Sequence, residues 1–327
     1  MTALEHGMTF LLRFVVILAV LLPAFAAKAQ DWPTRTVKLV VPYAAGGIAD
    51  RLGRLLASEL TASLGQQFVV ENRAGNAGVA ASAQVAGSAP DGYTLLIAGS
   101  GPHVSAPITN PNVTYDPLTD FTHIAMVGGD GYVFVVNLPL GVPSVAELVR
   151  LAKAKPVTTS SPGAGSLGHL LVEQFNRKAG ITLEHVPYRG ASDIMSALLG
   201  DHISTAMQAV SSVSAQVRAG KLKAIGVTGT ERHPAFNDVP TFAEAGYPDV
   251  RGSTWFWLAA PKGLPPAIAA KLAAETRRIM ALPKIKENFA ATQLLSADMD
   301  PATLHRFIAD ELAFFRPLAK EVGPIVP

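Results

Sequence analysis

Twice along this chain a short apolar strand runs into a loop of small residues and then directly into a helix. The first case is Val37-Lys-Leu-Val-Val-Pro-Tyr-Ala-Ala-Gly-Gly-Ile-Ala-Asp50, and the second is Pro156-Val-Thr-Thr-Ser-Ser-Pro-Gly-Ala-Gly-Ser-Leu-Gly-His-Leu170. A strand that feeds a helix through a tight turn is half of a βαβ unit, so the chain is constrained to build parallel sheet with helices on its faces. The same turn leaves the first N–H groups of the helix unpaired at the positive end of its dipole, where an anion is received without any Lys or Arg. Two such turns on one chain suit the capture of a carboxylate solute.

Residues 1–30 read as a secretory signal. Arg13 precedes the apolar run 14–22, and Ala27-Lys28-Ala29 offers a cleavage pattern, so a mature chain from about Gln30 in the periplasm is expected. An uncleaved anchor is the weaker alternative, because the run is shorter than the roughly 18 apolar residues of a span. One arginine is no twin-arginine signal, so folding after translocation is expected. The absence of cysteine excludes disulfides, thiol chemistry, cysteine-ligated metal and lipid attachment through a thiol. With 49% hydrophobic and 16% charged residues over 327 positions, two packed domains can form without such staples. The 27 basic and 25 acidic residues are scattered, with no basic stripe, so nucleic acid is not an expected partner.

Apolar runs place strands at 37–41, 68–70, 94–98, 132–137, 157–160, 183–187, 204–207, 224–228 and 255–260. Helical spacing falls at 52–64, 76–89, 144–155, 168–179, 192–199, 212–219, 267–281 and 303–319. Gly65 is placed to cap the first helix, and Ser144 with Glu147 reads as a capping box. The alternation predicts an α/β fold of two domains, each a mostly parallel sheet flanked by helices, with a cleft between them. Crossings near 128–132 and 252–255 divide it into a discontinuous first domain, 30–130 with 254–327, and an inserted second domain, 131–253.

In the first turn Ala44, Ala45, Gly46 and Gly47 let a ligand approach the backbone, although a bare βα connection is the alternative for any one such loop. Asp50 falls in the first helical turn, where it complements the dipole; direct contact with an anion is its weaker reading. In the second turn Gly163-Ala-Gly165-Ser-Leu-Gly168 satisfies G-x-G-x-x-G, and Glu184 lies near the acidic position of a dinucleotide site. The extra Ser160, Ser161 and Pro162, and an export route that meets little nicotinamide, favour a smaller anion held by backbone and by the hydroxyls of Ser160, Ser161 and Ser166. No cofactor is expected. The segment misses the G-x-S-x-G nucleophile pattern by one residue. An exported serine hydrolase using Ser166 is therefore a minority alternative, and it would need His233 or His305 beside the serine, with His169 on the following helix. The histidines show no HExxH spacing and the acids no hydrolytic dyad, so neither a metal nor a catalytic residue is assigned.

Several segments act together: Val41-Pro-Tyr-Ala-Ala-Gly-Gly47 with Asp50, Val70-Glu-Asn-Arg-Ala-Gly75, Pro90-Asp-Gly-Tyr-Thr-Leu-Leu96, residues 160–170, Val186-Pro-Tyr-Arg-Gly190 and Pro240-Thr-Phe-Ala-Glu-Ala-Gly246. In joint order and spacing they resemble the substrate-binding proteins of tripartite tricarboxylate transporters, the Bordetella uptake family. The resemblance implies a periplasmic binding protein whose two α/β domains close over a small carboxylate and deliver it to membrane permease subunits. A sensory protein presenting its ligand to a membrane receptor would use the same cleft, and a monomer is expected. Matched residue by residue, the resemblance implies one wall at Tyr43, Ala44, Ala45, Gly46 and Gly47 and the other at Ser160, Ser161, Gly163, Ala164, Gly165 and Ser166. Ser100, and the segment Tyr188, Arg189 and Gly190, would complete the cleft. Arg189 is as much a candidate ligand partner as a loop brace, and Arg73 is a weaker candidate. Where the family often carries an acidic residue this chain has Gln208, which implies a ligand without an ammonium group. The family's proline-rich first loop is here Tyr43-Ala44-Ala45, and its phenol is placed either to stack on an aromatic acid or to pack at the cleft edge. Trp255 and Trp257 share a strand face and are read as core or hinge packing.

Overall fold

β1 (Val37–Val41) lies between two parallel neighbours, β2 (Phe68–Asn72) and β3 (Thr94–Gly99), and all of it but Lys38 is buried. A strand covered on both faces has to be apolar throughout, which is why this run carries no alternation. The computed structural model describes residues 32–75, 78–161, 165–188 and 190–322. The expected signal segment, and Pro162, Gly163, Ala164 and Arg189 of the expected site, lie outside these. The helix after β1, α1 (Ile48–Leu64), begins earlier than its apolar spacing indicates, because Gly47 supplies the extended N-cap. It ends at Gly65, which adopts the left-handed conformation at φ 72°. The Ala-rich crossover is α2 (Val79–Ala86), shorter than expected.

β4 (Phe121–Asn137) is the strand on which the architecture turns. Sequence pattern suggests only its second half, since Gly128, Gly129 and Gly131 read as a break. In the fold they permit close approach: a Cβ on Gly129 would fall 2.4 Å from the Trp255 ring, and one on Gly128 would fall 2.7 Å from the Phe289 ring. β4 pairs antiparallel with β9 (Ser253–Pro261) as far as Gly131, and from Tyr132 it pairs antiparallel with β7 (Thr205–Ala209) and β8 (Leu222–Val227). β5 (Val157–Thr159) and β6 (Leu183–His185) are parallel, and Ser160 joins their edge to β7 through Thr205 O and the Met207 N–H. The first half of the molecule thus runs β2-β1-β3-β9-β4 and the second β6-β5-β7-β4-β8. Each half is mostly parallel with one reversed strand, because the chain enters that half from the other.

The remaining helices are α3 (Val145–Ala154), α4 (Leu167–Ala179), α5 (Ala191–Leu199), α6 (Val210–Arg218), α7 (Pro266–Met280), α8 (Pro283–Thr292) and α9 (Pro301–Val322). Ser144 caps α3 through the Glu147 N–H, while the Glu147 carboxylate turns to Arg150. α8 was not expected, since it buries only Ile285 and Phe289 and so carries too thin an apolar stripe to register. α9 threads both cores: Leu304, Ile308 and Leu312 pack with Leu96 and Trp257, whereas Phe315 and Leu318 pack with Phe134, Phe175 and Phe242. From Arg35 onward the chain is one compact unit, and among the described residues no helix is long and apolar enough to cross a membrane.

Candidate ligand-binding site

The first turn carries a carboxylate of its own. Asp50, on the first turn of α1, accepts the Gly46 N–H at 2.9 Å, Arg54 Nε at 3.0 Å and Asn72 Nδ2 at 2.9 Å. Asn72 Nδ2 also donates to Tyr43 O at 3.2 Å, and its Oδ1 accepts Arg54 Nη2. Burial opposes ionisation of Asp50, but the hydrogen bonds from Arg54, Gly46 and Asn72 outweigh it and hold the carboxyl below its ordinary range. Asp50 therefore braces the loop against Arg54 and Asn72, while no side chain caps the helix at Gly47. Ala44, Ala45, Gly46 and Gly47 stay exposed, and the space beyond Gly46 Cα, at φ 86°, is open to 4 Å. Arg73 is turned away onto Glu71 and Gln84, which makes it a brace.

At the described residues of the second turn the acceptors are a hydroxyl and a ring nitrogen. Ser166 is the N-cap of α4, its Oγ accepting the His169 N–H at 3.2 Å, and Gly165 (φ 72°) donates its N–H to His169 Nδ1 at 3.2 Å. The proton of His169 is thereby placed on Nε2, which faces Glu173 at 3.7 Å. Its imidazole lies flat on His185, with ring centres 3.9 Å apart, and His185 Nε2 meets Ser161 Oγ at 2.9 Å. Burial first, and then His169, bring His185 down to about 4. Ser160 spends its hydroxyl on Val186 O at 2.8 Å as well as its backbone on β7. The Ser166 hydroxyl thus faces a backbone amide, and the nearby ring nitrogen faces Gly165, so the two do not form a nucleophile–base pair.

Tyr132 joins the turns. It is buried on β4, reached by the Gly168 N–H of α4 and by the Thr254 hydroxyl of β9, and coupled electrostatically to Tyr43 of the first turn. Burial raises both phenols well above their ordinary value. Tyr43 itself packs edge-on against Phe256 at 6.0 Å. Two residues before Tyr132, Asp130 is fully buried with both oxygens on the Ser211 N–H at the start of α6, at 3.2 and 3.4 Å. Burial pushes this carboxyl up to about 7 against the pull of Ser211 and of Arg51. Neither Asp130 nor Tyr132 was singled out from sequence, although polar side chains in an otherwise apolar crossing strand were a usable signal.

The other expected residues divide by role. Ser100 stitches β3 to β9 by accepting the Trp255 N–H at 3.0 Å. Gln208 on β7 is 1% exposed, and its Nε2 is without a partner. Gly190 is the N-cap of α5, and Tyr188 packs beside it against the core under α5 and α6. Trp257 is buried and donates to His123 Nδ1 at 3.0 Å, while Trp255 packs edge-on against Phe307. Among the described residues no group of three His, Cys, Asp or Glu side chains is placed to hold a metal ion.

Residues 52–323 match the family model described as the tripartite tricarboxylate transporter family receptor. The chain belongs to that family. The receptor is 34% identical to Protein BugT of Bordetella pertussis over 303 residues, covering 92% of this chain and 93% of that protein. It is similar in structure to R. palustris Rpa4515 with adipate (32% identity, TM-score 0.83, 91% of this chain and 100% of that one). It is also similar to MatC from Rhodopseudomonas palustris with bound malate (28% identity, TM-score 0.79, 88% and 100%). Such coverage takes in both sheets, and the fold is that of the periplasmic binding proteins.

Proposed function

We propose that the receptor captures a small carboxylate between its two halves and hands it to the membrane subunits of a tripartite tricarboxylate transporter. The observation that carries this reading is Tyr132, buried on β4, on which the Gly168 N–H of the second turn's helix and, electrostatically, the Tyr43 phenol of the first turn both act. Because the first loop already holds the Asp50 carboxylate at its Gly46 N–H, we assign the ligand carboxylate to the second turn, residues 161–166. There the Gly165 and His169 amides meet an imidazole nitrogen and a serine hydroxyl, acceptors that a stronger anion can displace. Tyr43, Ala44, Ala45, Gly46 and Gly47 form the opposing wall. Tyr188, Arg189, Gly190 and Gln208 line the far end, where Gln208 offers an N–H donor and no negative charge.

Hydrogen bonds to a charged group contribute roughly 1.5–3 kcal/mol each and a helix terminus about 0.3–1, so a few backbone bonds supply affinity near ~1 μM. The closing domains are 30–130 with 254–327 and 131–253. Residues 1–29 direct export to the periplasm with cleavage near Ala29, and the receptor acts as a monomer without catalysis. Adipate and malate in the solved relatives support the solute class. A thermal-shift screen of mono-, di-, tri- and aromatic carboxylates tests the reading: a cognate acid at a hundred times its Kd adds about 2.7 kcal/mol to stability. A flat response to every acid at millimolar concentration overturns it. Gly46→Val and Gly165→Val should each abolish the shift with the fold retained.

A further inference from the structure

Asp130 stands one residue before the partner of β4 changes, in register with Thr254 of β9, and its carboxyl receives the first amides of α6. It shares a strand face with Tyr132, to which both turns are tied. Charge reaches it from few directions. Arg51 of α1 acts on it electrostatically, Tyr132 adjoins it on β4, and His233 lies against Gly131, its Cδ2 3.0 Å from where a Cβ would be. α6 brings the Ser211 hydroxyl with the Ser211 and Val210 amides, and β9 the Thr254 hydroxyl beside Tyr132. An ionised aspartate on this floor would repel an arriving carboxylate, whereas two carboxyl groups sharing one proton form a short charge-assisted hydrogen bond.

We propose that Asp130 is a specificity-determining residue that meets the ligand as a neutral acid, one oxygen accepting the Ser211 N–H and the other donating its proton to a ligand carboxylate. Capture then takes up one proton from solution for each ligand bound above the Asp130 titration. Burial, which brings this carboxyl up to about 7, places the linkage in the physiological range. An anion that cannot accept a hydrogen bond at this point is disfavoured, as is an ammonium group, which finds no fixed negative charge there. The proposal builds on the carboxylate reading of the cleft and adds the protonation state in which the cleft works.

Calorimetry with adipate and malate as probes, in buffers of different ionisation enthalpy, counts the protons directly. Wild type should take up close to one proton at pH 8 and none at pH 5.5, with affinity falling about tenfold per pH unit above 7. Asp130→Asn keeps an acceptor for Ser211 but cannot titrate, so its affinity should be flat between pH 6 and 8 with no uptake; His233→Gln should retain the uptake. Binding by wild type at pH 8 without proton uptake overturns the proposal and leaves the carboxylate reading intact. Equal uptake in wild type and Asp130→Asn does the same. If neither probe binds wild type at any pH, the carboxylate reading falls and this proposal with it. The wild-type buffer series decides alone should Asp130→Asn fail to fold.

Discussion

The Gly46 N–H donates to the Asp50 carboxylate at 2.9 Å, so the first strand-to-helix turn closes on an anion supplied by its own helix. The two turns, alike in sequence, are thereby different in charge. One holds the Asp50–Arg54 pair within its own loop, and the other presents amides resting on a serine hydroxyl and an imidazole nitrogen.

Asp50→Ala frees Gly46, Arg54 and Asn72 together. The side chain is 5% exposed, and losing the hydrogen bonds to its charged oxygens should cost about 1.5–3 kcal/mol in urea unfolding. Ligand affinity should fall as the Tyr43–Gly47 loop loosens. Unchanged stability would remove Asp50 from its bracing role.

Tyr132→Phe deletes the hydroxyl that the Gly168 N–H and Thr254 share. An orphaned amide at the α4 terminus should weaken carboxylate binding about tenfold while shifting the melting temperature by only a few degrees. Titration of wild type and variant with the same acid checks this, and equal affinities would detach Tyr132 from the site.

Ser166→Ala should cost about 1 kcal/mol, the worth of an N-cap, in thermal or urea unfolding. Hydrolysis of an activated ester should be the same for wild type and variant. A serine-dependent turnover would revive a nucleophilic role.

Acid should destabilise the receptor through histidines buried neutral. Burial chiefly sets His103 at about 3 and His123 at about 4, while the unfolded chain titrates near 6.5. Below pH 6.5 the unfolded state gains protons that the folded state refuses until about pH 4, so stability falls across that window by about 1.4 kcal/mol per pH unit for each histidine. Asp130 and Glu311, raised by burial to about 7, act in the opposite sense and lose stability as pH rises toward 7. His103 lies among Tyr115, Phe121 and Trp257, and neither ring nitrogen has a partner of full hydrogen-bond geometry. His103→Phe should therefore flatten the acid limb by one histidine's share in urea melts at pH 7 and pH 5.

Gly129→Ala should destabilise by more than the roughly 1–3 kcal/mol of ordinary overpacking, because its methyl would meet both the Trp255 ring and Thr254 O within 2.7 Å. Gly46→Ala meets nothing and should cost only the 1–2 kcal/mol or so of a left-handed backbone. Circular-dichroism melts of the pair separate crowding from strain.

Local signals were legible wherever one segment decides its own conformation. The apolar run of β1, the left-handed Gly65 and the Ser144 cap depend on neighbours within a few residues, and so the sequence determined the alternating α/β order and the two turns. The fate of their donors was not legible. That Asn72 bridges Tyr43 and Asp50, that Ser100 serves β9, and that Ser160 serves β6 and β7 depends on strands brought together from distant positions. The length of β4 was hidden for the same reason, since its glycines are explained only by the Trp255 and Phe289 rings that press on them. Sequence thus set where anions could be received. Tertiary structure decided where Asp50, Ser160 and Asp130 commit their charge and hydrogen bonds, because burial and long-range hydrogen bonding, not residue type, fix the charge a site carries.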